Sequence, residues 1–267
     1  MSLTPRFFWR GVGALLPLAL GLITAPALAA DRLSMRVEVY GPLGLHVLTL
    51  HTTLEETGDR YSITVDYATT GVAGLVIDQK THAQARGRLS AASAEPESFR
   101  SLTRRNGVER QDRADYRPDG SVEGSSTLAP PEPVAPAALR GTVDNLTAYL
   151  RLERQLAAKR TCVLTAAVFD GRHRYDLVFA DAGKQVLSAE NGQRMEGRTI
   201  ACRMTRRLYG ASAEQDEGAR QGTIWYAPLL PGDVMVPVRM RLETQIGSVD
   251  AYLAELHGRG VDLRLME

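Results

Sequence analysis

Arg60-Tyr61-Ser62-Ile63-Thr64-Val65-Asp66-Tyr67 decides the fold class. Tyr61, Ile63, Val65 and Tyr67 fall on one side of an extended chain; Ser62, Thr64 and Asp66 fall on the other. Alternation with a period of two marks a strand with one buried face. The same pattern spreads in both directions. Upstream, Met35, Val37 and Val39 alternate with Arg36 and Glu38, Gly41-Pro42-Leu43-Gly44 turns the chain, and residues 45–55 return. Thr57-Gly58-Asp59 is the next turn. Downstream, strands are predicted at 74–77, 82–90, 98–105 and 108–117. Asn106-Gly107 joins the last two as a two-residue hairpin, because both residues tolerate a positive φ. Asp119-Gly120 repeats that signal.

The second half reads the same way. Residues 162–169 and 172–179 flank Asp170-Gly171, and Tyr175, Leu177 and Phe179 share a face. Further strands are predicted at 199–209, 222–227, 234–243 and 247–256. Pro237 interrupts the run Val234, Val236, Val238, Met240, Leu242, which predicts an edge strand or a bulge. Consecutive hairpins favour an antiparallel meander over repeated βαβ units. The fold class is therefore mainly β: one strongly curved antiparallel sheet, an open barrel or β-spiral, with a single helix of about 15 residues packed against it.

The helix is the one break in the pattern. Residues 129–140 carry Pro130, Pro131, Pro133 and Pro136 and read as an extended loop. Thr142 or Asp144 can then cap a helix over 144–159. Its apolar stripe is Leu146, Tyr149, Leu150, Leu156 and Ala157. Glu153 projects near the middle of that stripe. It reads as a rim side chain or an Arg-paired carboxylate, with a fully buried acid as the alternative. With no second helix to cover either half, residues 30–267 read as one β-rich domain.

Composition bounds the function. The 267 residues are 44% hydrophobic and 24% charged, with a formal net charge of +1. Disorder and coiled coil fit poorly, and a general nucleic-acid binder would need an excess of Lys and Arg. The only long apolar run is N-terminal. Arg6 and Arg10 precede an apolar stretch over 11–23, followed by Thr24-Ala25-Pro26-Ala27-Leu28-Ala29. This reads as an export signal, residues 1–29, cut after Ala29 or alternatively after Ala30; the competing reading is an uncleaved anchor helix. No Cys lies near the cut, so lipid attachment there is not expected, and no later segment predicts a membrane-spanning helix. Export implies a periplasmic, oxidising location. Cys162 and Cys202 are the only cysteines, and they are expected to form a disulfide; their wide spacing fits a redox pair less well.

An ordered set of motifs resembles an uncharacterised family of exported proteobacterial proteins, domain of unknown function 3108. The set is Tyr61-Ser62-Ile63-Thr64-Val65 with Thr70-Gly71, Pro96-Glu97-Ser98-Phe99 with Asn106-Gly107, and Gly141-Thr142-Val143-Asp144. It continues with Phe169-Asp170-Gly171-Arg172-His173-Arg174-Tyr175-Asp176-Leu177 between the cysteines, and Val236-Pro237-Val238-Arg239. Together these span residues 33–256. The resemblance implies a curved antiparallel sheet and an envelope location, with a shape similar to periplasmic lipoprotein-carrier folds. It implies no activity.

Catalytic chemistry is not visible. His46, His51, His82, His173 and His257 form no zinc-binding motif, so no metal and no cofactor is expected. Gly210-Ala211-Ser212-Ala213-Glu214 misses the nucleophile elbow at its last residue. The chain is read as non-enzymatic. Arg172 and Arg174, two apart, suit a shared grip on an anion, or else a solvated turn. Trp225 reads as a cavity lip or a core aromatic. The candidate ligand contacts are Leu146, Tyr149, Leu150, Trp225, Arg172 and Arg174. The expected partner is a lipid-like molecule or another envelope protein. The alternative function is an interaction module with a filled core and no ligand.

Overall fold

A computed structural model describes residues 31–90, 93–129, 133–209, 220–232, 234–244 and 247–267. Residues 1–29, expected to be an export signal, the Gly210–Glu214 near miss and residues 130–132 of the Pro-rich segment lie outside these residues. Two meanders build the sheet. The first comprises β1 (Asp31–Tyr40), β2 (His46–Thr57), β3 (Arg60–Thr69), β4 (Gln79–Leu89), β5 (Ala94–Arg105), β6 (Val108–Tyr116) and β7 (Val122–Ser126). The second comprises β8 (Leu164–Phe169), β9 (Arg174–Leu187), β10 (Gly197–Leu208), β11 (Gln221–Leu230), β12 (Val234–Thr244) and β13 (Gly247–Gly258). β1 pairs with β13, so the meanders form one antiparallel sheet running from β7 to β8 without closing; β14 (Val261–Arg264) adds to β13. At the Asn106-Gly107 turn both residues have positive φ, 48° and 81°, as the hairpin signal requires.

One expectation is corrected, and another resolves to one of its two alternatives. Residues 74–77 are not a strand: α1 (Gly71–Val76) occupies that place. A short apolar run carries no period, so sequence alone could not separate the two states. Pro237 is not on an edge, because β12 lies between β11 and β13. It sits instead at the bulge. Trp225 pairs with Arg239 and Tyr226 with Pro237, leaving Val238 as the extra residue. Pairing with β13 starts only at Arg239, so the missing proline N–H leaves no break in that ladder. Gln193 fills the opening. Its side chain, fully buried, donates to Val238 O (2.7 Å) and Leu253 O (3.1 Å) and accepts from the Arg239 guanidinium. Carbonyls that lose their ladder partners thus gain side-chain ones.

α3 (Asn145–Lys159) lies against β4 and β5 of one meander and β8 and β12 of the other. Asp144 caps it, accepting from Thr147 N at 2.8 Å. The helix buries more than the predicted stripe: Thr147, Ala148, Leu150, Leu152 and Leu156 are inside, while Ala157 is exposed. A helix enclosed by a curved sheet meets protein on two sides. Leu150 enters the cluster of Leu33, Leu54, Ile63, Ala85 and Phe99. Ala148, Leu152 and Leu156 enter that of Val168, Leu177, Phe179, Ile224 and Tyr226.

The gap between β7 and β8 is bridged at one corner. Tyr116 Oη donates to Phe169 O (2.6 Å), and the Phe169 ring lies against Gly124. Val143 pairs with β8 in parallel register next to Val168. The described part of the Pro-rich segment after residue 132, which contains the short helix α2 (Pro136–Leu139), lies at this seam; Gly141 N donates to Gly120 O. Gly171 has φ +92°, and a Cβ there would stand 2.5 Å from Arg113 O and 2.7 Å from Arg113 N. Gly171→Ala is expected to destabilise the protein by about 2 kcal/mol, through backbone strain and backbone collision together. Urea unfolding checks this; an unchanged midpoint would show that the seam contact is not made.

Candidate functional site

The inner surface of the first meander is graded. One cross-strand row, Leu33, Leu54, Ile63, Ala85, Phe99 and Ala114, is buried throughout. The row of Val37, Leu50 and Tyr67 is only half-buried, and Met35 between the rows is also half-buried. This strip leads toward the β1–β2 turn and the β3–β4 connection, which meet there: Thr70 Oγ1 and His46 Nδ1 lie 3.0 Å apart. These two connections are apolar at their tips. Leu43 is 97% exposed, Leu75 86%, and Leu45 and Val76 are exposed too. Leu43 holds φ +62°, an uncommon conformation for a bulky residue. Large apolar side chains exposed on two adjoining connections are surface available for a contact.

At the other end of the first meander lies a groove of about 630 Å³. Its walls come from the β4–β5 end (Arg88, Glu95, Pro96, Glu97), the β6–β7 turn, residues 141–143 and Arg151 of α3. Glu97 is held by Arg60 (2.6 Å) and Arg88 (2.9 Å), and Arg117 by Glu123 (2.7 Å). Behind the groove is a buried polar chain. The Asp144 carboxylate accepts from Thr147 Oγ1 at 2.6 Å, and that hydroxyl lies 2.7 Å from Tyr61 Oη. Burial raises the Asp144 pKa to about 6, against the pull of the bonds from Thr147. Burial likewise pushes the Tyr61 and Tyr116 phenols up.

The candidate contacts named from sequence are not gathered in one place. Leu150 is sealed, with 4% exposure. Leu146 is half-buried against the same cluster. Tyr149 turns to the second meander, edge-on to Phe179 at 5.7 Å, and burial raises its phenol to about 12. Trp225 lies across the ladder from Ala201 and Arg239, and its indole N–H donates to Gln185 Oε1 (2.7 Å). Arg172 donates to Ala129 O and Arg174 to Ala138 O, each at 3.3 Å, so both clamp the Pro-rich segment. Arg174 also pairs with Asp176 at 2.6 Å. Cys162 and Cys202 form a disulfide. Glu153 is deep-set, keeps part of its surface accessible, and makes no direct ion pair among the described residues. Burial raises its pKa to about 7; Arg259 opposes that shift and Glu56 adds to it. Sequence reading missed Arg151 and the Leu43–Leu75 tips. The run Gly-Val-Ala-Gly-Leu-Val was the available signal for the tips; Arg151 carried none.

Among the described residues no helix is long and apolar enough to cross a membrane. No curated protein matches the chain. A solved structure does: the beta-barrel-like protein of domain of unknown function DUF1849 from Brucella abortus, 11% identical, with a TM-score of 0.51 over 86% of this chain and 99% of that one. That likeness concerns the fold. The family model for proteins of unknown function DUF3108 matches residues 34–254. The matched span includes the Gly141–Asp144 cap, the Phe169–Gly171 corner and the Pro237 bulge, and the chain belongs to the DUF3108 family.

Proposed function

We propose that the chain is a non-enzymatic periplasmic protein of the cell envelope that holds and transfers an apolar, lipid-like ligand. The observation that carries this reading is the half-covered apolar strip of Met35, Val37, Leu50 and Tyr67, which α3 leaves open and which leads to the exposed tips at Leu43, Leu45, Leu75 and Val76. Apolar surface in a concavity is favourable to cover, at about 25 cal/mol per Å². The exported location is supported by the leader-like sequence and by a disulfide, which persists in oxidising compartments.

The mature protein, purified from a periplasm without detergent, is expected to carry lipid-sized adducts in native mass spectra, and to lose them on organic extraction. Leu50→Asp is expected to lower adduct occupancy at least tenfold while its melting temperature falls only a few degrees. Unchanged occupancy in that variant, or a clean mass together with failure to bind added lipid, would overturn the carrier reading. The second reading, an interaction module, is favoured by the complete burial of Leu152 and Leu156 under the second meander. It predicts a clean mass and a cross-linked protein partner at the Leu43–Leu75 tips.

A further inference from the structure

The groove beside α3 holds a cation with no counter-ion among the described residues. Arg151 is half-buried and its Nε donates to Ala94 O at 2.6 Å. Its terminal nitrogens make no ion pair among the described residues, and Arg151 is part of the groove wall. The other cations there are already committed: Arg88 to Glu97 and Arg117 to Glu123. The acids around Arg151 do not replace a partner. Glu95 is exposed at the lip and acts on it only through space, and Asp144 is spent on Thr147. A guanidinium taken partly out of water without a carboxylate is costly, and a planar fork of N–H donors is suited to a phosphate or carboxylate.

The rest of the wall limits the ligand further. Pro96, Pro118 and Val122 supply apolar surface beside the charge, with Tyr116 in the same wall. A groove of about 630 Å³ is far larger than an inorganic ion and is of the size that takes an organic molecule. We propose that this groove binds an organic anion: Arg151 receives its phosphate or carboxylate head, Arg88 and Arg117 stand at the lips, and the proline-lined wall receives its apolar part. The anion is either an amphiphile's headgroup or a small soluble ester, and the two share this chemistry. The groove lies at the opposite end of the first meander from the Leu43–Leu75 tips, so the proposal does not rest on the carrier reading.

The test uses calorimetric titration with octyl phosphate, inorganic phosphate and neutral octyl glucoside. It is run on the wild-type protein and on Leu50→Asp, in which the concave strip is closed to an acyl chain. Octyl phosphate is expected to bind both proteins, and Arg151→Gln is expected to weaken that binding at least tenfold, with Arg151→Lys in between. Binding by inorganic phosphate as tight as octyl phosphate would identify a soluble ester as the ligand class; binding by octyl phosphate alone would identify an amphiphile. Equal affinity for octyl glucoside, equal affinity in Arg151→Gln, or no binding by either phosphate would overturn the site. Should Arg151→Gln fail to fold, the wild-type protein still decides. Octyl phosphate must then shift the NMR signals of Arg151 Nε–H and the amides of Ser121, Gly141 and Val143, and shifts confined to other residues reject the proposal.

Discussion

Replacing both cysteines, Cys162→Ala with Cys202→Ala, is expected to cost about 4 kcal/mol of stability, the chain-entropy value for a loop closed by residues 40 apart in sequence. The location of the bond makes the effect structural as well as entropic. Cys162 follows the end of α3 and precedes β8, while Cys202 is in β10, so the link passes over β9 and ties the helix exit to the sheet. Both residues are fully buried. Asp181 of β9 reinforces the junction, accepting from Cys162 N at 2.7 Å and from Thr161 Oγ1 at 2.8 Å. The measurement is guanidinium unfolding of the oxidised wild type beside the double variant. A loss below about 1 kcal/mol would mean that the surrounding cluster of Phe179, Ile224 and Leu156 holds the junction unaided.

Local rules were legible in the sequence and long-range contacts were not. Asn106-Gly107, the alternation over 60–67 and the Asp144 cap each depend on residues a few places apart, and each appears where the pattern puts it. The β7–β8 corner depends on Tyr116, Gly124, Phe169 and Gly171, which no window joins. Gly171 read as an ordinary turn glycine, although its second role is to let the Arg113 backbone approach. Gln193 is a stronger case. An amide in a polar stretch gave no sign of filling the space between β12 and β13. Arg172 and Arg174 carried the densest cluster of able groups, yet their donors go to carbonyls of the seam and, for Arg174, also to the neighbouring Asp176. Chemistry was abundant where structure needed it, and Arg151, which makes no ion pair among the described residues, looked like any solvated helix residue.

The amphipathic helix also explains why the candidate contacts dispersed. Spacing at i, i+3 and i+4 assigns one apolar face, which suits a helix lying on a flat sheet. Here the sheet curls around the helix, so neighbouring turns serve different clusters: Leu146 and Leu150 join the one that spans both meanders, and Tyr149, Leu152 and Leu156 the one built on the second meander. A ligand in the concavity therefore meets the sheet rows beyond the helix rather than the helix stripe. That is why Leu50, and not Leu150, is the informative position to change.

Lowering the pH from 8 to 5 is expected to stabilise the protein, and Glu153→Gln is expected to remove most of that gain. The sign follows from linkage. Burial raises Glu153 to about 7 and Asp144 to about 6, both above their unfolded values. The folded state then binds protons that the unfolded state has released, so folding strengthens as pH falls through this window and weakens as pH rises through it. The surroundings of Glu153 make it the larger contributor: Glu56 repels its charge, Arg259 attracts it but is shared with Glu56 and Asp31 at 3.0 Å each, and the buried Tyr226 phenol lies in its field. One pKa unit is worth about 1.4 kcal/mol, which makes about 3 kcal/mol the upper size of the Glu153 effect; its residual solvent access reduces that toward about 2. Glu38, Asp115, Asp170 and Glu255 act in the opposite direction. Bonds from Thr49 and His46 (Glu38), Arg100 and Arg113 (Asp115), His173 (Asp170) and Arg36 (Glu255) hold them below the usual carboxylate range, so their contribution is lost as they protonate in more acidic solution. The stability curve should therefore peak near pH 5, with urea midpoints read between pH 3 and 9. Glu153→Gln should gain about 2 kcal/mol over the wild type at pH 8 and match it at pH 5. Parallel curves for the two proteins would show that Glu153 is already solvated, and would make the interior around Tyr149 and Tyr226 wetter than the packing of α3 implies.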